Sequence, residues 1–304
     1  MPGSALALDP RLPPGKNFDL THWKLTLPDV SEIPAAQLSG GYSSPWFNTG
    51  SDGSMIFWCP VTGTNTTTSS FPRSELRELM DPKDSDVNWT GYGLHHLSGQ
   101  CKVLQLPSTG KVIIGQIHSK SGNAYPLVML MYDNGNIRAL VRQSPNTTVN
   151  VSYGVGRAAL NDTIDYEIDL TDGLLSTSVN GATLSTNIFL SDPAWAAQTF
   201  YFKAGAYCQD NSGTDTEGAR VAFSQVVRTH LSAPVPIRLA LAKGAMVVSW
   251  VATPGKAYQV NAMNGLGQAQ WQVLADNLVF SGSNGSFTNA LGTNRQRFFR
   301  VFEK

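Results

Sequence analysis

Over long stretches of this chain apolar and polar residues alternate at a period of two, as in Lys111-Val-Ile-Ile-Gly-Gln-Ile-His118 and Tyr166-Glu-Ile-Asp-Leu170. Successive side chains of a strand point to opposite faces, so this period builds half-buried strands, whereas a helix needs apolar residues about every 3.6. No long amphipathic helical pattern competes with it. Tight hairpin signals stand at Asp133-Asn-Gly-Asn136 and Asn180-Gly181. The 28 glycines and 17 prolines supply further turns between short elements. The expectation is an all-β chain, a sandwich or jelly roll. Asp192-Pro-Ala-Trp195 is expected to open one short helical turn.

Length and charge divide the chain. The 304 residues exceed what one ordinary domain needs. Lys+Arg and Asp+Glu are 22 each, and this zero balance argues against a general nucleic-acid binder. The balance hides an asymmetry: residues 1–232 carry five more acids than bases, and residues 233–304 five more bases than acids. Leu231 to Ile237 reads Leu-Ser-Ala-Pro-Val-Pro-Ile, a Pro-broken stretch. We therefore expect a lead-in over 1–16, a main domain over 17–232, a linker over 233–237 and a small β-sandwich over 238–304. Within the main domain, Val61 to Ser70 is rich in Thr, Ser and Asn and reads as a mobile loop. No apolar run approaches the roughly 18 residues of a membrane span, so no membrane partner is expected. The start lacks the basic and apolar regions of a signal peptide. Cys59, Cys101 and Cys208 allow at most one disulfide, and three buried thiols are an equal reading. No CxxC, HExxH or Gly-rich phosphate loop occurs, and neither a metal nor another cofactor is expected.

Three segments present polar groups at period two. In Arg73-Ser-Glu75-Leu-Arg77 the charged residues share a face, with the arginines ~13 Å apart along the strand. That spacing suits successive anionic groups of an extended polymer; it equally suits a salt-bridge ladder with Glu75 between two arginines. In Gly115-Gln116-Ile117-His118, Gln116 and His118 share a face, an amide donor beside a candidate base. In Tyr201-Phe-Lys203-Ala-Gly205-Ala-Tyr207-Cys-Gln209, the tyrosines, Lys203, Gly205 and Gln209 form one stripe, with Gly205 leaving room for a ligand to approach the backbone. Taken singly, each segment also reads as an ordinary half-exposed strand.

In combination and in this order, the three segments resemble polysaccharide lyase family 7, the alginate lyases. Asn17-Phe-Asp-Leu-Thr-His-Trp-Lys-Leu-Thr-Leu-Pro28 and Phe57-Trp-Cys-Pro-Val-Thr-Gly63 are similar to that family too, and the resemblance spans roughly residues 15–232. It implies a β-jelly-roll (a concanavalin-like sandwich) with a concave cleft, and a secreted or periplasmic enzyme acting, as a monomer, on alginate or a related polyuronate. It further implies that Arg73 and Gln116 neutralise a uronate carboxylate, that His118 is the base or holds it, and that Tyr207 protonates the leaving oxygen. Tyr207 as a base would need cationic neighbours, which Arg73 or His118 would supply. Glu75, Arg77, Lys203, Gln209 and Tyr201 are assigned to substrate binding, with Lys203 gripping a neighbouring sugar. Ile117 between Gln116 and His118 resembles members that favour guluronate-containing blocks. The basic C-terminal segment resembles fibronectin-III-like or immunoglobulin-like modules, with an accessory role.

Two other readings compete. Glu167-Ile-Asp169-Leu-Thr-Asp172 resembles the carboxylate segment of retaining glycosidases. That chemistry needs two carboxylates about 5–5.5 Å apart. Residues five apart on a regular strand face opposite ways, and Thr171-Asp-Gly173 reads as a hairpin edge. A non-catalytic carbohydrate-binding sandwich would use the same aromatic and amide stripe without a converging His, Tyr and Arg.

Overall fold

The computed structural model describes residues 7–66, 69–231, 234–265, 271–290 and 296–304. Residues 1–6 of the expected lead-in, 67–68 of the Thr/Ser-rich loop and 233 of the expected linker lie outside that set. The chain divides into two compact units, one holding residues up to Gly91 with His96–Arg228, the other Tyr92–His95 with Thr229–Lys304.

The first unit is built on two antiparallel sheets, and the helices are single short turns such as Pro14–Asn17 and Ala35–Gly40. The first sheet has nine strands, its path running Asn150–Arg157, Asn136–Arg142, Pro126–Asp133, Lys111–Ser119, Thr199–Cys208, Arg73–Glu78, Trp23–Thr26, Glu32–Ile33. The second has seven, among them Ile164–Thr171, Leu94–Gln105, Gly218–Leu231 and Met55–Pro60. Inward residues of both sheets close one core, with Trp23, Phe57, Tyr166, Phe200, Phe202 and Phe223 almost or wholly excluded from solvent. The all-β, jelly-roll expectation is met.

The hairpins follow from their turn residues. Asn134 and Gly135 take φ of 47° and 86°, and Asn180 and Gly181 take 48° and 88°. Two positive φ values in succession make the type I′ turn whose twist matches paired strands. Asp172 and Gly173 (48° and 79°) do the same between Ile164–Thr171 and Leu174–Val179. Asp192 caps the short 3₁₀ turn Pro193–Ala197, its carboxylate accepting from Ala194 N at 2.8 Å.

The centre of the first sheet is its Lys111–Ser119, Thr199–Cys208 and Arg73–Glu78 strands. Tyr207 lies opposite Arg73 and Lys203 opposite Arg77 on one side; Lys203 lies opposite Gln116 and Tyr201 opposite His118 on the other. The register with Lys111–Ser119 shifts between Ala204 and Tyr207. Gly205 sits in that irregularity at φ +148°, and a Cβ there would stand 2.6 Å from Ser74 O and 2.8 Å from Glu75 Cα. Gly205 is thus required by strand contact, not by ligand approach as the sequence suggested.

The second unit contains two three-stranded sheets, ordered Ile237–Ala242, Ala245–Val251, Asn284–Ala290 and Gln272–Val279, Ala257–Met263, Phe298–Glu303. Val248, Trp250, Tyr258, Val260 and Val301 form its core. Cys59, Cys101 and Cys208 are free and buried. Among the described residues no helix is long and apolar enough to cross a membrane.

Candidate active site

A cleft of about 580 Å³ opens on the outer face of the first sheet. The alternation of three adjacent strands delivers its floor: Arg73 and Arg77 from one, Gln116 and His118 from the second, Tyr201, Lys203 and Tyr207 from the third, with Gln209 just beyond. Eight of the nine residues singled out in the sequence line this one cleft.

The ninth, Glu75, does not. Its side chain is wholly buried and absent from the lining, which corrects its assignment as a substrate contact. It lies beneath the floor, where Arg73 Nη1 donates to Oε2 at 3.0 Å, Lys203 Nζ pairs with the same oxygen, and Gln116 Nε2 donates to Oε1 at 2.5 Å. Burial pushes its pKa up, but Lys203 and Arg73 outweigh burial and hold the group below the usual carboxylate range. The alternative ladder with Glu75 between two arginines also fails. Arg77 turns away and donates to Glu78 O (2.6 Å), Ser85 O (2.8 Å) and Asn88 Oδ1 (2.9 Å), while its guanidinium covers the Tyr201 ring at 4.0 Å.

Two tyrosines and the histidine are held by complementary contacts. Arg73 lies over the Tyr207 ring, 4.0 Å from its centre. Burial raises the Tyr207 phenol above its ordinary value, against the pull of Arg73. His118 stacks on Tyr201, ring centres 5.2 Å apart and 16° from parallel. Its Nδ1 stands 2.8 Å from Ser119 O and 3.1 Å from Tyr201 Oη. A carbonyl oxygen only accepts, so Nδ1 carries the proton and Nε2 keeps its lone pair. Burial, then Lys203 and Arg73, push the His118 pKa down to about 3. The imidazole is therefore neutral and cannot be the cationic neighbour that the sequence reading offered Tyr207. Lys203 is itself lowered to about 8, by burial and by Arg73. One guanidinium nitrogen of Arg73, Nε, is buried without a hydrogen-bond partner.

Sequence reasoning missed part of the cleft lining. Lys24, Lys120, Tyr125 and Arg142 also line it. Lys120 continues the period of Gln116 and His118, a signal that was present. Arg142 stands 4.6 Å over the Tyr125 ring and is fixed by the carbonyls of Pro126 and Thr147. Among the described residues six cationic side chains and one carboxylate, Glu32, line the cleft, a local excess in a chain of zero net charge. Glu167 and Asp172 sit on a strand of the second sheet and in the turn after it, and neither lines the cleft, which removes the glycosidase reading.

Known proteins are similar to this chain in sequence and fold. The alginate lyase family profile matches residues 18–230. The structure of alginate lyase A1-II′, a member of polysaccharide lyase family 7, is 42% identical with a TM-score of 0.69, over 72% of this chain and 99% of that one. A His→Asn, Tyr→Phe double variant of that lyase, in complex with a substrate GGMG, gives the same score and identity over 72% and 96%. An alginate lyase from Pseudomonas aeruginosa is 39% identical, TM-score 0.66, over 70% of this chain and all of that one. An alginate lyase of Klebsiella pneumoniae is 25% identical over 279 residues, 71% of this chain and 91% of its own length. The chain belongs to the alginate lyases of polysaccharide lyase family 7.

Proposed function

We propose that the protein cleaves alginate by β-elimination at this cleft. The observation that carries the reading is the convergence of Arg73, Gln116, His118 and Tyr207 from three strands onto one cationic cleft. In each cleavage the C5 proton is removed and its electron pair becomes the C4=C5 double bond. The C4–O pair leaves with the glycosidic oxygen, which takes up a proton. The C5 proton is acidic only if charge on the adjacent carboxylate is compensated, and donors aimed at that developing charge are the largest single aid. Arg73 and Gln116 supply them.

His118 offers Nε2 as base. Its basicity is suppressed by burial, Lys203 and Arg73. A bound uronate carboxylate neutralises part of that positive field, so substrate binding itself raises the basicity of the imidazole. Tyr207, protonated because burial raises its phenol, donates to the leaving oxygen. Tyr201, Arg77, Lys203 and Gln209 line the neighbouring surface; Tyr201 also holds the His118 ring. The substrate-bound relative with one histidine and one tyrosine replaced supports assigning the chemistry to such a pair.

The finer reading is an endo-acting, guluronate-tolerant lyase that works as a monomer in the periplasm or outside the cell, where a polymer too large to enter is met. Residues 238–304 form a fibronectin-III-like or immunoglobulin-like accessory module behind the linker 233–237, and 17–232 suffice for catalysis. A truncate lacking 236–304 then keeps turnover on short oligomers. The deciding experiment follows ultraviolet absorbance during incubation with alginate. A lyase creates a double bond conjugated to the carboxylate; a hydrolase gives reducing ends without the absorbance, and a binding module gives neither. A product-length time course separates endo from exo action.

A further inference from the structure

We propose that Glu75, which no substrate can touch, is the positioning residue that fixes both the charge and the aim of the elimination floor. The inference rests on the lyase reading above and deepens it. Glu75 is wholly buried, yet each of its three partners, Arg73, Lys203 and Gln116, lines the cleft. Its two oxygens are shared out: Oε2 takes the two cations and Oε1 takes the amide. An ionised carboxylate accepts but cannot donate, so Gln116 presents its amide nitrogen downward and retains one further N–H for a ligand. Arg73 is anchored through Nη1, which fixes the guanidinium that lines the cleft. Glu75 thereby sets which donors remain for the uronate carboxylate.

Charge gives a second, separate argument. Arg73, Lys203 and Glu75 together carry one net positive charge, and His118 beside them is neutral. One uronate carboxylate completes the balance. Burial, then Arg73 and Arg77, act to strip the Lys203 proton, and Glu75 opposes them. Removing the Glu75 charge leaves Lys203 facing two guanidiniums in a buried site, and it deprotonates at lower pH. The same change lowers the Tyr207 phenol, which Glu75 now helps to raise.

The experiment compares the full-length wild type with Glu75→Gln on alginate, by ultraviolet absorbance across pH. Glu75→Gln is expected to lower kcat by about 10²–10³-fold, the cost of misdirecting transition-state donors, with KM changed by less than about threefold. The alkaline limb of its pH profile is expected to move to lower pH, a shift that mere loosening of the fold does not produce. Wild-type kcat in Glu75→Gln overturns the proposal, and so does a loss borne by KM with an unmoved limb. Where Glu75→Gln is recovered unfolded, Glu75→Asp replaces it. The shorter carboxylate keeps the charge and cannot span all three donors, so kcat falls at least about tenfold with the alkaline limb in place; full activity there overturns the proposal. A wild type that yields no absorbing product sinks the lyase reading itself, an outcome distinct from all of these.

Discussion

Glu75 and Glu78 stand three residues apart on one strand, and both are wholly excluded from solvent. An odd separation sends them to opposite faces of the sheet. Glu75 meets Arg73, Lys203 and Gln116 under the cleft. Glu78 faces the core, where its carboxylate accepts from Trp89 Nε1 (2.9 Å), Phe202 N (3.0 Å) and Arg228 Nη1 (3.2 Å). Burial is the same, so burial does not say what a buried acid is for. The partners do: those of Glu75 open onto a ligand site, and those of Glu78 tie the strand to the fold.

The largest effect tests the cleft side of this contrast. His118→Ala is expected to lower the alginate elimination rate by about 10²–10⁴-fold, the usual contribution of a positioned proton-transfer group. Near-wild-type turnover in that variant would remove the imidazole from the reaction. The core side behaves differently. Glu78→Ala removes the buried carboxylate that Arg228, Trp89 Nε1 and Phe202 N share, a loss of about 3–5 kcal/mol of stability. Denaturant unfolding reads that loss. The molecules that stay folded should turn over within about threefold of wild type, and a selective collapse of kcat would erase the distinction between the two acids.

The contrast also marks where the sequence was legible. Period-two spacing revealed which residues share a face, and three ordered segments led to the family; Arg73, Gln116, His118 and Tyr207, singled out that way, line one cleft. The depth of each position was not. Arg73–Glu78 is buried at all six positions, charged ones included, whereas alternation alone implies that every second residue is exposed. Nor did the strand pattern reveal that Arg77 is captured by Glu78 O and Ser85 O, or that Arg142 and Tyr125 border the cleft, because these depend on the paths of loops. The displaced register at Gly205 was invisible for the same reason: a β-irregularity belongs to a pair of strands.

Gly205 provides an intermediate test, on the strand that joins the two regions. Gly205→Ala should cost about 2 kcal/mol or more, because an L side chain at this φ is strained and its Cβ would stand 2.6 Å from Ser74 O. Unfolding measurements that show no loss would mean the strand can shift, and then the placement of Tyr207 opposite Arg73 would not be rigid either.

The smallest effect lies on the second sheet, where an acid is paired but not enclosed. His96 Nδ1 stands 2.6 Å from Asp169 Oδ1, with both side chains more than a quarter exposed. The Asp169 contact raises the His96 pKa above its ordinary value, and Glu167 adds to it. A raised histidine contributes stability that is fully present below its unfolded pKa of about 6.5 and lost as pH rises through the folded value. Asp169→Asn should therefore lower Tm at pH 5.5 and leave it nearly unchanged once His96 is neutral in both forms. Water screens so exposed a pair, so the low-pH loss is expected to stay below about 1 kcal/mol. Activity at the cleft should not respond. A penalty as large as that of Glu78→Ala would mean that enclosure adds little to what such a pair contributes to stability.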